Sequence, residues 1–276
     1  MMKRVEVVVL NWNGWQDTIS CLASLQLQDY PNFNLIVVDN SSTDCSVDQI
    51  KKAMPSIELL QAGANLGFGG GCNVGIRQAI DCGAEYVWLI NSDSIADPHA
   101  LSALVHIADQ DLALGSVGSV LYEMDALDTV QLWGGGRVQL WSGKSRHRLC
   151  PGPLDFISGA SVLLRCSAIK EVGLFDQAAF FMYWEDTDLA FRLHKAGWQL
   201  AVAADSRVWH KQSASLGKRS PLLDEYFTQS GVRFLRRYAS IPFLSISFML
   251  GTMLAKRILT GNARGARAVL KGFLSA

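Results

Sequence analysis

Val87-Trp88-Leu89-Ile90-Asn91-Ser92-Asp93 reads as a short apolar run that ends abruptly in polar side chains. Four consecutive apolar residues followed by an amide, a hydroxyl and a carboxylate predict a buried strand, Tyr86 to Asn91, whose end opens at the mouth of a sheet. Before it, runs rich in Val, Ile and Leu alternate with helix-like stretches. Val5 to Leu10, Leu35 to Asp39 and Ile57 to Leu60 are strands; Asp17 to Leu25, Ser46 to Ala53 and Asn73 to Cys82 are helices. After it, Pro98 to Ala108 predicts a helix with proline in its first turn. This alternation is the signature of a parallel α/β sheet.

In such sheets the strand C-terminal ends gather ligand groups, because the loops there lead into helix N-termini whose free N–H groups favour anions. Here those ends are Asn11-Trp12-Asn13-Gly14, Asp39-Asn40-Ser41-Ser42-Thr43-Asp44 and Asn91-Ser92-Asp93-Ser94. From about Val117 the pattern shifts to shorter β pieces broken by glycine: Val130 to Trp133, Val138 to Trp141, Leu154 to Phe156 and Ser161 to Leu164, the last two bracketing Ser158-Gly159. A helix from about Asp186 to Ala196 and a strand ending in Trp209-His210 follow.

The 276 residues, 49% of them apolar, can bury a substantial core. Basic and acidic side chains balance at 25 each, which argues against a polyanion-binding protein, so nucleic acid is not an expected partner. The balance is uneven along the chain: no acid follows Glu225, while Arg233, Arg236, Arg237, Lys256, Arg257, Arg264, Arg267 and Lys271 do. The six cysteines show no C-x-x-C pairing, so neither zinc nor a disulfide framework is suggested, and reduced thiols in cytosol are expected. In the tail, the apolar stretch Ile241 to Ala255 falls short of the roughly 20 residues of a membrane span. Between its basic flanks it reads either as a helix lying in a lipid interface or as a helix packed on the body.

Four groups carry candidate chemistry. Asp93 can hold a divalent cation against a diphosphate, or can simply cap the next helix. Trp184-Glu185-Asp186-Thr187-Asp188 sets three carboxylates at one helix start, where the positive helix end favours their ionised forms. An ionised carboxylate can take the proton of an attacking hydroxyl, and Asp186 is assigned that role. Glu185 is read as an acceptor contact, Asp188 as an i,i+4 partner of Arg192 on a surface helix, and Phe180, Phe181, Tyr183 and Trp184 as a sugar-facing lining. Ala62 to Asn73 is read as a glycine-rich loop before a helix, whose backbone approaches a nucleotide or its sugar, or else as a plain flexible loop. A dinucleotide fingerprint at Gly67 and Gly69 fails on context, since it should follow the first strand. His210 is a candidate second cation ligand, with Lys211, Lys218 and Arg219 facing phosphate. His99, His106, His147 and His194 have no such company.

Val37 to Asp44, Asn65-Leu66-Gly67-Phe68, Asn91-Ser92-Asp93 and Trp184 to Arg192, in that order, resemble glycosyltransferase family 2, particularly its bacterial rhamnosyltransferase-like members. The likeness covers about residues 4 to 240. It implies a GT-A fold: an α/β protein with a Rossmann-like, mostly parallel central sheet flanked by helices, a mixed second half and a C-terminal helical tail. The expected organisation is a glycosyltransferase domain over residues 1–222, with a nucleotide-binding half to about 116 and an acceptor-side half from 117, then a basic, apolar helical extension over 223–276. The implied activity is inverting transfer of a sugar from a nucleotide diphosphate, dTDP- or UDP-linked, to a glycan or lipid-linked acceptor, with Mg²⁺ or Mn²⁺, in the cytoplasm or at the inner face of the plasma membrane. By position, Asn11, Asp39, Asn65, Gly67, Asn73, Asn91, Ser92 and Asp93 would bind the nucleotide sugar. Asp93 and His210 would hold the metal, Asp186 would be the base, and Gly159, Trp184 and Glu185 would meet the acceptor. Two departures stand out. Asn91 replaces the first Asp of the family's Asp-x-Asp motif, and Cys72 stands where some members place an arginine toward the donor. Nucleotidyltransferase and noncatalytic binding readings remain as alternatives, the first lacking its glycine- and basic-rich loop after strand one.

Overall fold

Alternation along each strand builds two cores at once. In β1 (Val5–Asn11) the side chains of Val5, Val7 and Val9 enter one hydrophobic cluster and Val8 the other. A one-residue slip would exchange the sets, so the register is strongly specified. A computed structural model describes residues 2–211 and 220–276. After β1 come α1 (Trp15–Leu25), β2 (Phe33–Asp39), α2 (Ser46–Ala53), β3 (Glu58–Gln61), α3 (Gly67–Asp81), β4 (Tyr86–Asn91), β5 (Ser94–Ala96) and α4 (Ala100–Gln110). The second half adds β6 (Leu114–Glu123), β7 (Ala126–Trp133), β8 (Gly135–Gln139), β9 (Lys144–His147), β10 (Phe156–Ile157), β11 (Ser161–Arg165), α5 (Cys166–Val172), α6 (Glu185–Lys195) and β12 (Gln199–His210). Helices α7 (Pro221–Tyr238), α8 (Pro242–Leu259) and α9 (Ala263–Leu274) close the chain.

The main sheet runs β3-β2-β1-β4-β11-β6-β12-β5, with β7 on β6, and β10-β8-β9 form a small second sheet. The first four strands are parallel, as expected from the alternation. Beyond them β11 runs antiparallel to both β4 and β6. Helices α1 and α4 cover one face through Leu22, Leu25, Leu101 and Leu104; α3, α5 and α6 cover the other through Ile76, Ile169 and Leu193. The expected boundary between halves at 116/117 falls inside β6, whose pairing with β12 and β11 makes it a central strand of the second half.

The extension expected over 223–276 is helical and packs on the body. A third cluster joins Phe180 and Trp184, just before α6, to Val232, Phe234 and Leu235 of α7 and Ile246 and Met249 of α8. The apolar tail forms α8, of which Ser245, Ile246 and Met249 pack inward, as a helix packed on the body would, while Phe243, Leu244, Ile258 and Leu259 are exposed.

Helix α3 also differs from expectation, since Gly67 to Cys72 form its first turns rather than a loop. The glycines are required by packing. A Cβ on Gly71 would lie 2.4 Å from Leu10 and one on Gly75 2.4 Å from Val8, so the helix could not lie on β1. On its other side a Cβ on Gly69 would meet Phe175 at 2.9 Å and one on Gly67 would meet the Phe181 carbonyl oxygen at 2.0 Å. The glycine run therefore clamps α3 between β1 and the segment leading into α6.

Candidate active site

Strand pairing aligns the polar ends in one row. Asn11 is registered with Asp39 across β1 and β2, and Leu10 with Asn91 across β1 and β4. His210 at the end of β12 is registered with Ser94 of β5. This last pairing brings the two distant candidates together: His210 Nε2 is 3.4 Å from Asp93 Oδ1 and 3.2 Å from Asn91 Nδ2. Asp93 does not cap α4. Strand β5 intervenes, and it is the Asp97 carboxylate that accepts the His99 N–H at 2.9 Å.

At the other end of the row, Asp39 is held rather than free. Its Oδ1 accepts from Asn11 Nδ2 (2.9 Å) and Ser42 Oγ (2.6 Å), and its Oδ2 from the Ser42 N–H (3.0 Å). Asn11 is fully buried and accepts from Thr18 Oγ1 at 2.7 Å, so it positions Asp39 instead of lining a pocket as expected. Asn65 is likewise engaged, its Oδ1 accepting from the Gly67 N–H (3.0 Å) and Asn40 Nδ2 (3.1 Å). Asn73 is buried and bonds the Phe175 backbone through both ends of its amide, at 2.9 and 3.0 Å, so both ends are engaged within the protein. Ser92 is half-buried in the turn between β4 and β5. Lys218 and Arg219 lie outside the described residues. Lys211 pairs with Asp17.

The acidic cluster separates into three different environments. Tyr183 and Trp184 both adopt φ near +67°, a conformation that costs L-residues roughly 1–2 kcal/mol each and turns the chain sharply into α6. Asp186 then faces back to the sheet edge. Its Oδ2 accepts the Gly159 N–H (3.1 Å), and its Oδ1 accepts from the Thr187 N–H (2.6 Å) and Oγ1 (3.1 Å). Gly159 thus pins the carboxylate, and its neighbour Ala160 accepts the Asn91 N–H at 3.0 Å, linking Asp186 to the end of β4.

Helix-end stabilisation was expected to keep the acids ionised, but burial prevails over it. Desolvation raises Asp186 above the ordinary carboxylate range, opposed by its hydrogen bonds from Gly159 and Thr187. Glu185 is raised well above that range, first by burial and then by the charge of Asp186. Its Oε2 is buried without a hydrogen-bond partner, so it is not placed as an open acceptor contact. Asp188 is fully buried and accepts from Arg192 Nε (2.8 Å), Arg237 Nη1 (2.7 Å) and Tyr238 Oη (2.8 Å). The i,i+4 pair is present, but it lies at the core of a hub between α6 and α7.

The expected aromatic lining is largely interior. Phe180 and Trp184 are buried, Trp184 packing on Phe234 at 4.8 Å and Phe227 at 5.5 Å, so neither ring face is open to a sugar. Phe181 and Tyr183 keep partial exposure. His147, which has no company in sequence, comes within electrostatic reach of Asp186 from β9.

No set of three or more His, Cys, Asp or Glu side chains gathers as a metal site among the described residues. The Asp93 oxygen and the His210 imidazole are therefore two candidate protein ligands. That suits a Mg²⁺- or Mn²⁺-type ion, which takes few protein ligands and completes its shell with phosphate oxygens and water.

A family model described as glycosyltransferase like family 2 matches residues 3–229. The N-acetylglucosaminyl-diphospho-decaprenol L-rhamnosyltransferase of Mycobacterium tuberculosis is 33% identical in an alignment 223 residues long that covers 71% of this chain and 72% of the relative. Among solved structures, the mannosyltransferase PcManGT from Pyrobaculum calidifontis in complex with GDP-Man and Mn²⁺ superposes with a TM-score of 0.64 at 16% identity, covering 100% of this chain and 75% of the other. S. aureus TarS 1-349 in complex with UDP-GlcNAc gives a TM-score of 0.64 at 17% identity, covering 99% of this chain and 81% of the other.

Proposed function

The chain belongs to glycosyltransferase family 2 and has the GT-A fold, and on that premise we propose that it transfers a sugar from a nucleotide diphosphate with inversion at the anomeric carbon. The observation that carries the reading is the row of Asp39, Asn91, Asp93 and His210 along the strand ends, with Asp186 tied to the same edge through Gly159. Membership in a glycosyltransferase family argues against the nucleotidyltransferase and noncatalytic readings.

In the proposed reaction Asp186 accepts the proton of the acceptor hydroxyl as its oxygen attacks the anomeric carbon. The bond from that carbon to the diphosphate oxygen breaks, and its electron pair leaves with the diphosphate. Burial suits Asp186 to this task, because a carboxylate with a raised pKa is a stronger base. Asp39, fixed by Asn11 and Ser42, would meet the nucleoside. A divalent cation held by Asp93 and His210 would offset charge on the leaving diphosphate. The test is a thermal-shift panel of nucleoside diphosphates with and without Mn²⁺, since a ligand of the native state raises the melting temperature. A metal-dependent rise with one of them is expected; no response to any refutes the donor reading.

For the acceptor we favour a lipid-linked sugar met at the cytoplasmic face of a membrane, with rhamnose as the sugar to test first, by analogy with the mycobacterial relative. Two features support the lipid. A cleft of about 340 Å³ between α7 and α8, lined by Leu223, Phe227 and Met253 together with the charged Asp224, Lys256 and Arg257, reaches Tyr183, two residues before α6. Beside it α8, with a mean hydropathy of 1.3, exposes Phe243, Leu244, Ile258 and Leu259 next to exposed Lys256. Such a face suits an anionic lipid interface. Deleting residues 240–276 would strip Met249 from the core around Trp184, so point substitutions are the cleaner test. Phe243→Glu with Leu259→Glu should abolish cosedimentation with anionic vesicles, and undiminished binding would refute the contact.

A further inference from the structure

Gln131 was not among the residues singled out by sequence, yet it is the closest polar neighbour of the inner side of His210. Between β6 and β7 the register passes from Leu121 opposite Leu132 to Tyr122 opposite Val130, so Gln131 is the extra residue of a bulge. Bulges re-aim a side chain out of the regular pleat. The amide of Gln131 is turned onto the end of β12: its Nε2 donates to the His210 carbonyl oxygen at 3.0 Å and to Glu123 Oε2 at 3.2 Å. A carbonyl and a carboxylate can only accept, so the end of the amide facing them is its NH₂ group. The other end, Oε1, lies 2.8 Å from His210 Nδ1. An amide oxygen can only accept, so Nδ1 carries a proton. In the neutral ring Nε2 then carries the lone pair, and it is Nε2 that faces Asn91 Nδ2 at 3.2 Å and Asp93 Oδ1 at 3.4 Å.

We propose that Gln131 is a positioning residue that fixes the tautomer and ring orientation of His210, presenting an Nε2 lone pair beside the Asp93 carboxylate as a ligand for the divalent cation of the donor site. Nε2 meets one N–H donor, from Asn91, and one anionic oxygen, from Asp93, so a divalent cation that displaces the Asn91 contact would be held by both acceptors. The inference rests on the proposed metal role of Asp93 and His210, and its test separates the two.

The experiment is ¹⁵N–¹H NMR of the histidine rings in the metal-free full chain at alkaline pH, where the imidazoles are neutral, with the His210 signals identified by their loss in His210→Ala. Wild type should show the Nδ1–H tautomer. Gln131→Leu should populate Nε2–H and weaken Mn²⁺ binding about tenfold, as loss of an outer hydrogen bond to a metal-ligating histidine does. Gln131→Glu, which keeps an acceptor for Nδ1–H, should restore the first tautomer at some loss of stability, since its second oxygen replaces the NH₂ group that faced Glu123 and the His210 carbonyl. A wild-type Nε2–H tautomer, or a folded Gln131→Leu protein that keeps Nδ1–H, overturns the proposal. Should Gln131→Leu fail to fold, the wild-type and Gln131→Glu spectra still decide it. Should the tautomers behave as stated while saturating Mn²⁺ leaves the His210 signals unbroadened, the tautomer lock stands, and it is its purpose as a metal-site device that is refuted.

Discussion

Asp188→Asn distinguishes the local from the tertiary account of the acidic cluster. Taken as a surface i,i+4 pair with Arg192, the carboxylate would contribute roughly 0.3–0.5 kcal/mol. The structure gives it a different standing. Asp188 is fully buried, Oδ1 accepts from Arg237 and Tyr238, and Oδ2 accepts from Arg192. Arg192 also donates to the carbonyls of Val172, Gly173 and Leu174, so the same node ties α6 to α5 and, through Arg237, to α7. An asparagine has one acceptor oxygen, and whichever way it turns, its NH₂ group meets a donor. Removing the charge from such a buried set costs roughly 3–5 kcal/mol, which for a chain of this size lowers the melting temperature by roughly 10 °C. Urea unfolding of wild type and variant, without ligand and at low and high salt, measures the difference. A buried network is screened little, so the loss should persist in high salt. A loss below about 1 kcal/mol, or one that salt erases, would refute the hub.

Asp186→Asn should leave the response to nucleoside diphosphates nearly intact while cutting turnover about a hundredfold or more; unchanged turnover removes Asp186 from the base role. Gly67→Ala should cost about 2 kcal/mol or more, combining the strain of φ +74° with displacement of the Phe181 carbonyl, and a stability within 0.5 kcal/mol of wild type, the ordinary scatter of surface substitutions, would contradict the clamp. The pH dependence of stability tests Glu185. Its folded pKa is raised, so the native chain binds that proton more tightly than the unfolded chain does. Stability is therefore fully present below the ordinary carboxylate range and is lost as pH rises through the raised value. Glu185→Gln should flatten that slope in urea midpoints measured against pH; parallel curves for the two proteins would show that Glu185 is not the titrating group.

What the sequence made legible was whatever depends on neighbours in the chain. The period of Val5 to Asn11 and the apolar block before Asn91 determine strands, and polar residues after them must emerge at the sheet edge, so Asp39, Asp93 and His210 could be placed before any coordinates. What stayed hidden depends on pieces that arrive from far along the chain. Asn11 and Asn73 look like ligand groups because they are amides near strand and helix ends, yet they spend their hydrogen bonds on Asp39, 28 residues away, and on the Phe175 backbone, 102 residues away. Trp184 looks like a sugar platform until α7 covers it with Phe227 and Phe234.

The glycine run shows why such misreadings share a direction. A stretch such as Gly67 to Gly71 signals only that something must come close, and chemistry offers a ligand as the nearest explanation. Here the close approach is by protein: Leu10 and Val8 on one side, Phe175 and Phe181 on the other. The result still serves the site. With no side chains between them, α3 can hold the Phe181 carbonyl through the Phe68 N–H at 3.0 Å, and that segment runs within a few residues into the two left-handed residues that aim Asp186. In the proposed reaction the glycines would therefore act through the placement of Asp186. It follows that substitutions there should disturb turnover through Asp186 geometry before they disturb nucleotide affinity.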